Sequence, residues 1–216
     1  MKGLADRAIH DKRYRRYLAV KVGFTIDAVW AVTNLVLGIL QASVWFITLG
    51  AYYMVFGIMR MMLLSHMRSI PSESIESERR IERTCGIMLL ASIFVLSGIV
   101  TLVMKDLGGF AYDEILIYAM ATFAFYSLIS SIVSYVKLRK RDDIIAVTNS
   151  RVNLAIALVS IFAVEIAMLT AFGTAEDAQL RFIMPILTGT GIAITMGFLG
   201  LRSIMGGNTL VVDERG

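Results

Sequence analysis

The stretch that decides the fold is Ile144–Phe172, IIAVTNSRVNLAIALVSIFAVEIAMLTAF. It is apolar over enough residues to cross a bilayer, yet it carries four polar or charged side chains: Asn149, Arg151, Asn153 and Glu165. A charge inside a membrane helix is costly, so it usually faces a protein interior or a wet cavity and marks a functional site. The stretch predicts a membrane-spanning helix that carries part of a site.

The composition of the whole chain agrees with this interpretation. Of its 216 residues, 57% are hydrophobic and only 18% are charged, whereas a soluble domain has about 25% charged residues. The apolar residues form long runs, which favours spans over buried helices of a soluble core. We predict an all-α polytopic membrane protein with six spans, at residues 22–40, 43–65, 85–104, 115–136, 144–172 and 182–204.

Residues 22–204 then form one membrane domain, between a basic arm (1–21) and a short tail (205–216). The arm holds seven Lys/Arg, the end of span 2 with its connector five, and residues 137–141 four. On the opposite side only Lys105 and Arg181 occur. The positive-inside rule therefore predicts that both termini are cytoplasmic. We expect the cell membrane as the location, and no nucleic acid partner, because the basic residues lie beside the spans.

Two cytoplasmic segments allow alternative interpretations. The arm 1–21 is predicted either as a short helix in the headgroup region or as a plain arm that sets orientation. Residues 66–84 form the longest polar insertion, with Pro71 and several serines. We predict a solvated connector there, and a docking surface for a protein partner is the alternative.

Three spans show faces suited to contact with other helices. Span 1 carries a stripe of polar or small residues at steps of three and four, which share one face: Asp27, Ala31, Asn34, Gly38 and Gln41. Span 4 has serines on one flank: Ser127, Ser130, Ser131 and Ser134. Span 6 has a ladder of small residues: Gly189, Ala193 and Gly197. Small and hydroxyl residues favour close packing and hydrogen bonds between membrane helices.

The charged residues of spans 1, 2 and 5 fall at similar depth. At ~1.5 Å per residue, Asp27, Arg60 and Arg151 lie within roughly 10 Å of the cytoplasmic boundary. The spacing allows an Asp27–Arg151 or an Asp27–Arg60 pair. We predict the floor of an inward-facing vestibule there, with Asn34, Asn149 and Asn153 leading deeper.

The simpler alternative is that these charges have no shared role. Arg60 and Arg151 are long enough to snorkel to the headgroups, and Asp27 would then bond a serine or a backbone group. Glu165 lies towards the outer end of span 5. It is expected to pair with Lys105 or Arg181, to be hydrated, or to carry a proton.

The order of the spans resembles the membrane domain of the cation diffusion facilitator family. That family has six helices, cytoplasmic ends, a minimal loop between helices 1 and 2, and longer cytoplasmic connectors. Asn34–Ile47, NLVLGILQASVWFI, is similar to the family's Lys-x-x-x-Gly…Ser stretch, with Asn34, Gly38 and Ser43 in register. Residues 141–160 are similar to the family's entry into helix 5. The resemblance covers roughly residues 20–205 and implies a homodimer.

The departures from the family concern its metal site. The family binds divalent metal with Asp/His pairs on helices 2 and 5, and in this register those positions are Tyr52, Phe56, Val152 and Ile156. None of them offers the oxygen or imidazole ligands that such metals need. The family's domain after helix 6 is also missing from this sequence. We therefore expect no metal site and no cofactor.

Two functions remain open from the sequence. The first is a carrier-like protein for a non-metal solute or ion, whose path is lined by Asp27, Asn34, Arg60, Asn149, Arg151, Asn153 and Glu165. The second is a non-transporting partner or scaffold subunit that acts through the basic arm and the 66–84 connector. We expect no enzyme, because HExxH, GxSxG and Gly-rich phosphate motifs are missing. A carrier would require Asp27 and Arg151 to face one cavity.

Overall fold

A computed structural model of the chain describes residues 12–69, 75–105, 114–138, 143–173 and 178–206. These residues form six α-helices and no strand: α1 Lys12–Leu40, α2 Val44–Ser69, α3 Ile75–Lys105, α4 Glu114–Leu138, α5 Ile144–Phe172 and α6 Ala178–Met205. All six are long and apolar enough to cross a membrane. The prediction of an all-α fold with six candidate spans is confirmed, and the fold is compatible with an integral membrane protein.

The first helix begins well before the predicted first span. Helix α1 is continuous from Lys12 to Leu40, so the described half of the basic arm is not a separate headgroup helix. Tyr17 lies in this extension and accepts hydrogen bonds from Arg68 Nε and Nη2 of α2, at 3.1 and 2.8 Å. The extension is therefore held against the end of α2. Residues 1–11 of the arm lie outside the described residues.

The predicted solvated connector 66–84 is also largely helical. Helix α2 continues to Ser69 and α3 begins at Ile75, and residues 70–74 lie outside the described part. Glu82, within the predicted connector, is a buried residue of α3. Most described residues of 75–84 are exposed or partly exposed, as expected of a connector, but Glu82 is buried because the apolar face of span 3 continues towards the N-terminus of its helix.

Helices α2 and α5 have the most buried spans and lie at the centre of the bundle. The closest helix pairs are α1 with α2, α3 with α6, and α4 with α5. Further contacts of α2 and α5 with each other and with the α3–α6 pair join these three pairs. Lipid gives no hydrophobic driving force between helices, so close packing must supply the stability of these contacts.

Helices α1 and α2 form an antiparallel hairpin, as expected from the two residues that separate predicted spans 1 and 2. Its turn has Ala42 in the left-handed region with a φ of 48°, and the Ser43 amide donates to the Gly38 carbonyl at 2.9 Å. A Cβ added to Gly38 would lie 2.7 Å from the backbone nitrogen of Ile47, so the two helices meet at backbone distance there. The predicted face of α1 is buried at four of its five positions, namely Asp27, Ala31, Asn34 and Gly38, while Gln41 is exposed.

Helices α3 and α6 approach each other most closely at a pair of glycines. A Cβ added to Gly86 would lie 2.9 Å from the Gly200 carbonyl oxygen, and one added to Gly200 would lie 3.0 Å from that of Gly86. Within the predicted ladder of α6, Gly189 is tight, since its Cβ would lie 2.7 Å from a Val100 methyl group. Gly197 leaves an ordinary contact of 3.7 Å to Ile93. The backbone contact therefore lies one turn beyond the predicted ladder.

Many hydroxyl groups along the helices, and the start of α5, are satisfied locally, which suits a bilayer. The side chain of Asp143 accepts a hydrogen bond from the Ala146 amide at 3.1 Å and caps the start of α5. Hydroxyl groups along the spans donate to the carbonyl four residues earlier. Examples are those of Thr25, Thr48, Ser92, Thr101, Thr122, Thr148, Ser160, Thr170 and Thr195. These hydroxyls do not need a partner on another helix.

Candidate functional site: a cleft with a buried ion pair

A cavity of about 690 Å³ lies between the α1–α2 hairpin and the α4–α5 pair. This volume is in the range of small-molecule sites, roughly 300–1,000 Å³. Most of its lining is apolar. The polar side chains that line it are Asp27, Thr33, Asn34, Tyr53, Ser127, Ser130, Ser131, Asn153 and Ser160, with Arg60 as the basic group.

The charged feature of this cavity is an ion pair between α1 and α2. Arg60 Nε lies 2.7 Å from Asp27 Oδ2, and the two side chains are 7% and 2% exposed. Of the two partners that the sequence allows for Asp27, the structure has Arg60. Neither residue snorkels, because both side chains are enclosed by the bundle. The pair carries no net charge when both groups are ionised, which lowers the cost of burying it at membrane depth.

A glycine on α1 makes room for this pair. A Cβ on Gly23 would lie 1.3 Å from Arg60 Nη1. Gly23 precedes Asp27 by one helical turn, so both residues lie on the same face of α1. The guanidinium can lie against the backbone of α1 beside the carboxylate only because residue 23 has no side chain.

Four other polar groups of the cavity have partners inside the protein. The Asn34 amide donates to the Trp30 carbonyl at 2.8 Å. The hydroxyls of Tyr53 and Ser160 share a hydrogen bond of 3.1 Å between α2 and α5. Ser131 of α4 donates to the backbone carbonyl of Asn153 at 3.4 Å. The serine flank of α4 thus makes one of the predicted hydrogen bonds between helices. The ion pair is the strongest polar feature of the cleft.

Arg151 does not face this cavity. Its Nη1 lies 2.5 Å from Glu82 Oε1 on α3 and 2.8 Å from Ser203 Oγ on α6. The structure does not bring Arg151 together with Asp27, for a geometric reason. Arg151 and Asn153 are two positions apart on α5, about 200° around the helix, and it is Asn153 that lines the cavity.

Glu82 is not among the site residues predicted from the sequence, although the sequence carries a signal for its burial. Glu82, Cys85, Leu89, Ser92 and Leu96 follow one another at steps of three and four, and all five are buried in the structure. Such a stripe continues the apolar face of span 3 back into the polar segment. Arg79 lies one helical turn before Glu82 on α3, and it donates to the backbone carbonyl of Gly206 at the end of α6. Together these contacts join α3, α5 and α6.

Besides Arg151, two predicted path residues lie outside the cavity lining. Asn149 is buried on α5, and its Oδ1 has no hydrogen-bond partner among the described residues. Glu165 is half-buried, and its carboxylate interacts with Thr188 of α6. The side chains of Lys105 and Arg181, its predicted partners, lie outside the described part of the chain. Of the predicted path residues, the cavity brings together Asp27, Asn34, Arg60 and Asn153.

The positions that correspond to the facilitator family's metal ligands belong to the hydrophobic core. Tyr52, Phe56, Val152 and Ile156 are all buried in the main apolar cluster. Among the described residues no group of three or more His, Cys, Asp and Glu side chains stands together. No protein-family model matches the sequence, and no curated protein matches it. The resemblance to the cation diffusion facilitators stays a prediction.

Proposed function

We propose that the protein is a carrier-like membrane protein that binds a non-metal solute without net charge in the cavity between α1, α2, α4 and α5. The observation that carries this proposal is the buried Asp27–Arg60 pair in the wall of a cavity of about 690 Å³. A buried ionisable pair that lines a cavity at membrane depth is costly and is typical of a solute path. The requirement inferred from the sequence, that Asp27 and Arg151 face one cavity, is not met, because Arg151 lies outside the lining. The proposal rests instead on Arg60, which takes the place of Arg151 as the partner of Asp27.

The proposed orientation puts both termini and the ion pair on the cytoplasmic side. It is supported by the distribution of Lys and Arg along the chain. The ion pair then lies in the cytoplasmic half of the cavity, and the α1–α2 turn faces outwards. A solute from the cytoplasmic side would meet Asp27 and Arg60 before the Tyr53–Ser160 bridge, which lies deeper along α2 and α5.

The helix packing supports movement of the two cavity walls. The α1–α2 hairpin and the α4–α5 pair are each closely packed internally, and α2 and α5 provide the contact between them. Carriers commonly open to alternate sides by rocking one packed helix group against another around a fixed site. In this protein the two rocking groups would be the α1–α2 hairpin and the α4–α5 pair.

The test is thermal melting of the purified protein against a panel of ions, water-soluble solutes and amphiphiles. A ligand that binds only the folded state, at about 100 times its Kd, stabilises that state by about 2.7 kcal/mol. We expect at least one net-neutral compound to raise the melting temperature. The double variant Asp27→Asn/Arg60→Gln should lose that rise, because it removes both charges of the cavity and leaves neither unpaired.

A second buried ion pair supplies the matched control. The variant Glu82→Gln/Arg151→Gln also removes a buried pair, but one outside the cavity. It should melt at a lower temperature than the unaltered protein and keep the full ligand response. Equal loss of response in both double variants, or no response to any compound, would contradict the carrier proposal. The second result would favour the non-transporting partner.

A further inference from the structure

The cavity lacks a wall between α1 and α4. These two helices are not among the packed pairs of the described chain, although residues from both line the cavity. On the facing flanks, Val22 and Ile26 of α1 are 50% and 43% exposed, and Phe123 and Tyr126 of α4 are 49% and 71% exposed. All four lie within candidate membrane spans. The cavity is therefore a cleft that opens sideways, towards the hydrocarbon of a surrounding bilayer.

The cleft is long as well as open. Its lining on α1 runs from Ala19 to Leu37, a rise of ~27 Å at ~1.5 Å per residue. The hydrocarbon core of a bilayer is ~30 Å thick. From Asp27 to Leu37 the cleft extends ~15 Å, and on this stretch Asn34 and Tyr53 are bonded within the protein. An occupant therefore meets a long, mostly apolar slot.

The polar anchor of the slot lies at the end of its lining on α2, at Arg60, and near the middle of its lining on α1, at Asp27. Asp27 Oδ2 and Arg60 Nε are close enough for an ion pair, but they are not aligned as a hydrogen bond. The carboxylate can therefore still accept, and the guanidinium can still donate, to a third group. A ligand with a single charge would leave a net charge at membrane depth, which is costly. A ligand with both charges would match the pair without adding net charge.

We propose that the cleft holds a zwitterionic lipid of the surrounding bilayer, with the ammonium group of its head against Asp27 and the phosphate against Arg60. The acyl chain lies in the slot between α1 and α4. Arginine suits phosphate through its fork of N–H donors, and a carboxylate suits an alkylammonium group. The inference rests on the proposed function and names its substrate class, because the lateral opening admits a lipid directly from the bilayer.

The chain contains its own reporter for this site. It has two tryptophans, Trp30 and Trp45, and Trp30 lines the cleft whereas Trp45 does not. The variant Trp45→Phe leaves Trp30 as the only tryptophan. Its fluorescence would be measured in nanodiscs of phosphatidylglycerol that contain a small fraction of phospholipid brominated on one acyl chain, since bromine quenches tryptophan on contact.

The expected result is quenching that depends on the lipid head. Brominated phosphatidylethanolamine should quench Trp30 at least twofold more than the same fraction of brominated phosphatidylglycerol. The difference should disappear in Asp27→Asn/Arg60→Gln and persist in Glu82→Gln/Arg151→Gln, both built on Trp45→Phe. In Trp30→Phe, the remaining Trp45 should respond equally to the two lipids, which corrects for contact with bulk lipid.

Three outcomes would overturn the inference. Equal quenching by both lipids would mean that the cleft takes lipid without recognising its head. Quenching by aqueous iodide and not by brominated lipid would show a water-filled vestibule. Protection of Trp30 from both quenchers, together with the molecular mass of a dimer in size-exclusion chromatography, would show that a second copy of the chain occupies the cleft.

These failures are separable from failure of the carrier proposal. Suppose that a water-soluble solute raises the melting temperature only when the Asp27–Arg60 pair is intact. This result would support the carrier proposal and contradict the proposal that the ligand is a lipid. Quenching that depends on the lipid head, without exchange of the bound lipid, would support the lipid site and contradict the proposal that the protein is a carrier.

Discussion

At the scale of single residues, the candidate site depends on Gly23 as much as on the two charges. Arg60 Nη1 occupies the space that a Cβ of residue 23 would need. The nearest atoms belong to the guanidinium end of Arg60, which is flexible, so an added methyl group would push that end away rather than separate the helices. Gly23 therefore decides whether the guanidinium can reach Asp27.

We predict that Gly23→Ala displaces Arg60 from Asp27 and lowers stability by about 1–3 kcal/mol, as overpacking usually does. The variant should also lose the ligand response of the cavity, because the guanidinium no longer faces it. Thermal melting with and without ligand measures both effects.

Gly57→Ala is the control for this prediction. Gly57 lies on α2 near Arg60, and a Cβ there would meet nothing within 4 Å. This variant should melt at or slightly above the temperature of the unaltered protein, because alanine favours helix over glycine. If Gly23→Ala kept the full ligand response, Arg60 would not be held in the place that the structure gives it.

At the scale of helices, the contact between α3 and α6 is made by backbone. Gly86 and Gly200 each bring their Cα to the carbonyl oxygen of the other helix, which is the close approach that small residues permit in membranes. The Glu82–Arg151–Ser203 cluster lies one turn from this contact and joins α5 to the same pair. A backbone carbonyl, unlike the end of a flexible side chain, cannot move aside for a new methyl group. The contact therefore tolerates no added group.

We predict that Gly86→Ala and Gly200→Ala each lower stability by about 1–3 kcal/mol. Gly98→Ala on α3 and Gly191→Ala on α6 are matched controls, since a Cβ at either position meets nothing within 4 Å. The controls should be neutral or stabilising by up to ~1 kcal/mol through helix propensity. Melting temperatures of the four variants test this, and equal behaviour of all four would contradict the α3–α6 contact.

At the scale of the whole molecule, the arrangement of the helices separates two polar regions. Helices α1, α2, α4 and α5 surround the cleft, while α3, α5 and α6 enclose the Glu82–Arg151 pair. Helix α5 contributes to both regions through different faces, Asn153 and Ser160 to the first and Arg151 to the second. In the described part of the chain, α3 and α6 pack closely beside the second region, whereas α1 and α4 are not a packed pair at the first.

The orientation of the chain gives a prediction at this scale. The sequence has one cysteine, Cys85, which is fully buried, so Cys85→Ala provides a background for single-cysteine labelling. A membrane-impermeant maleimide added to intact cells should label Gly109→Cys, because the scarcity of Lys and Arg in the connection between α3 and α4 predicts that it lies outside. Ser72→Cys should be labelled only after permeabilisation. The opposite pattern would reverse the proposed orientation and place the Asp27–Arg60 pair in the outer half of the cleft.

The sequence by itself determined the six candidate spans, the hairpin of α1 and α2, and the buried face of α1. These features follow from run length and helical period, which are local along the chain. It also singled out Asp27 and Arg60, because charges within apolar runs stand out.

Only the tertiary structure decided which charges pair and where the cleft lies. Glu82 and Arg151 are 69 positions apart, and Gly86 and Gly200 meet between the third and the sixth helix. Such contacts depend on how each helix is rotated and on which neighbour it packs against. Several side chains at equal depth can satisfy the same partner, so residue spacing could not choose between Arg60 and Arg151. The packing of α5 against α3 and α6 turned Arg151 away from Asp27 and left Arg60 in the cleft.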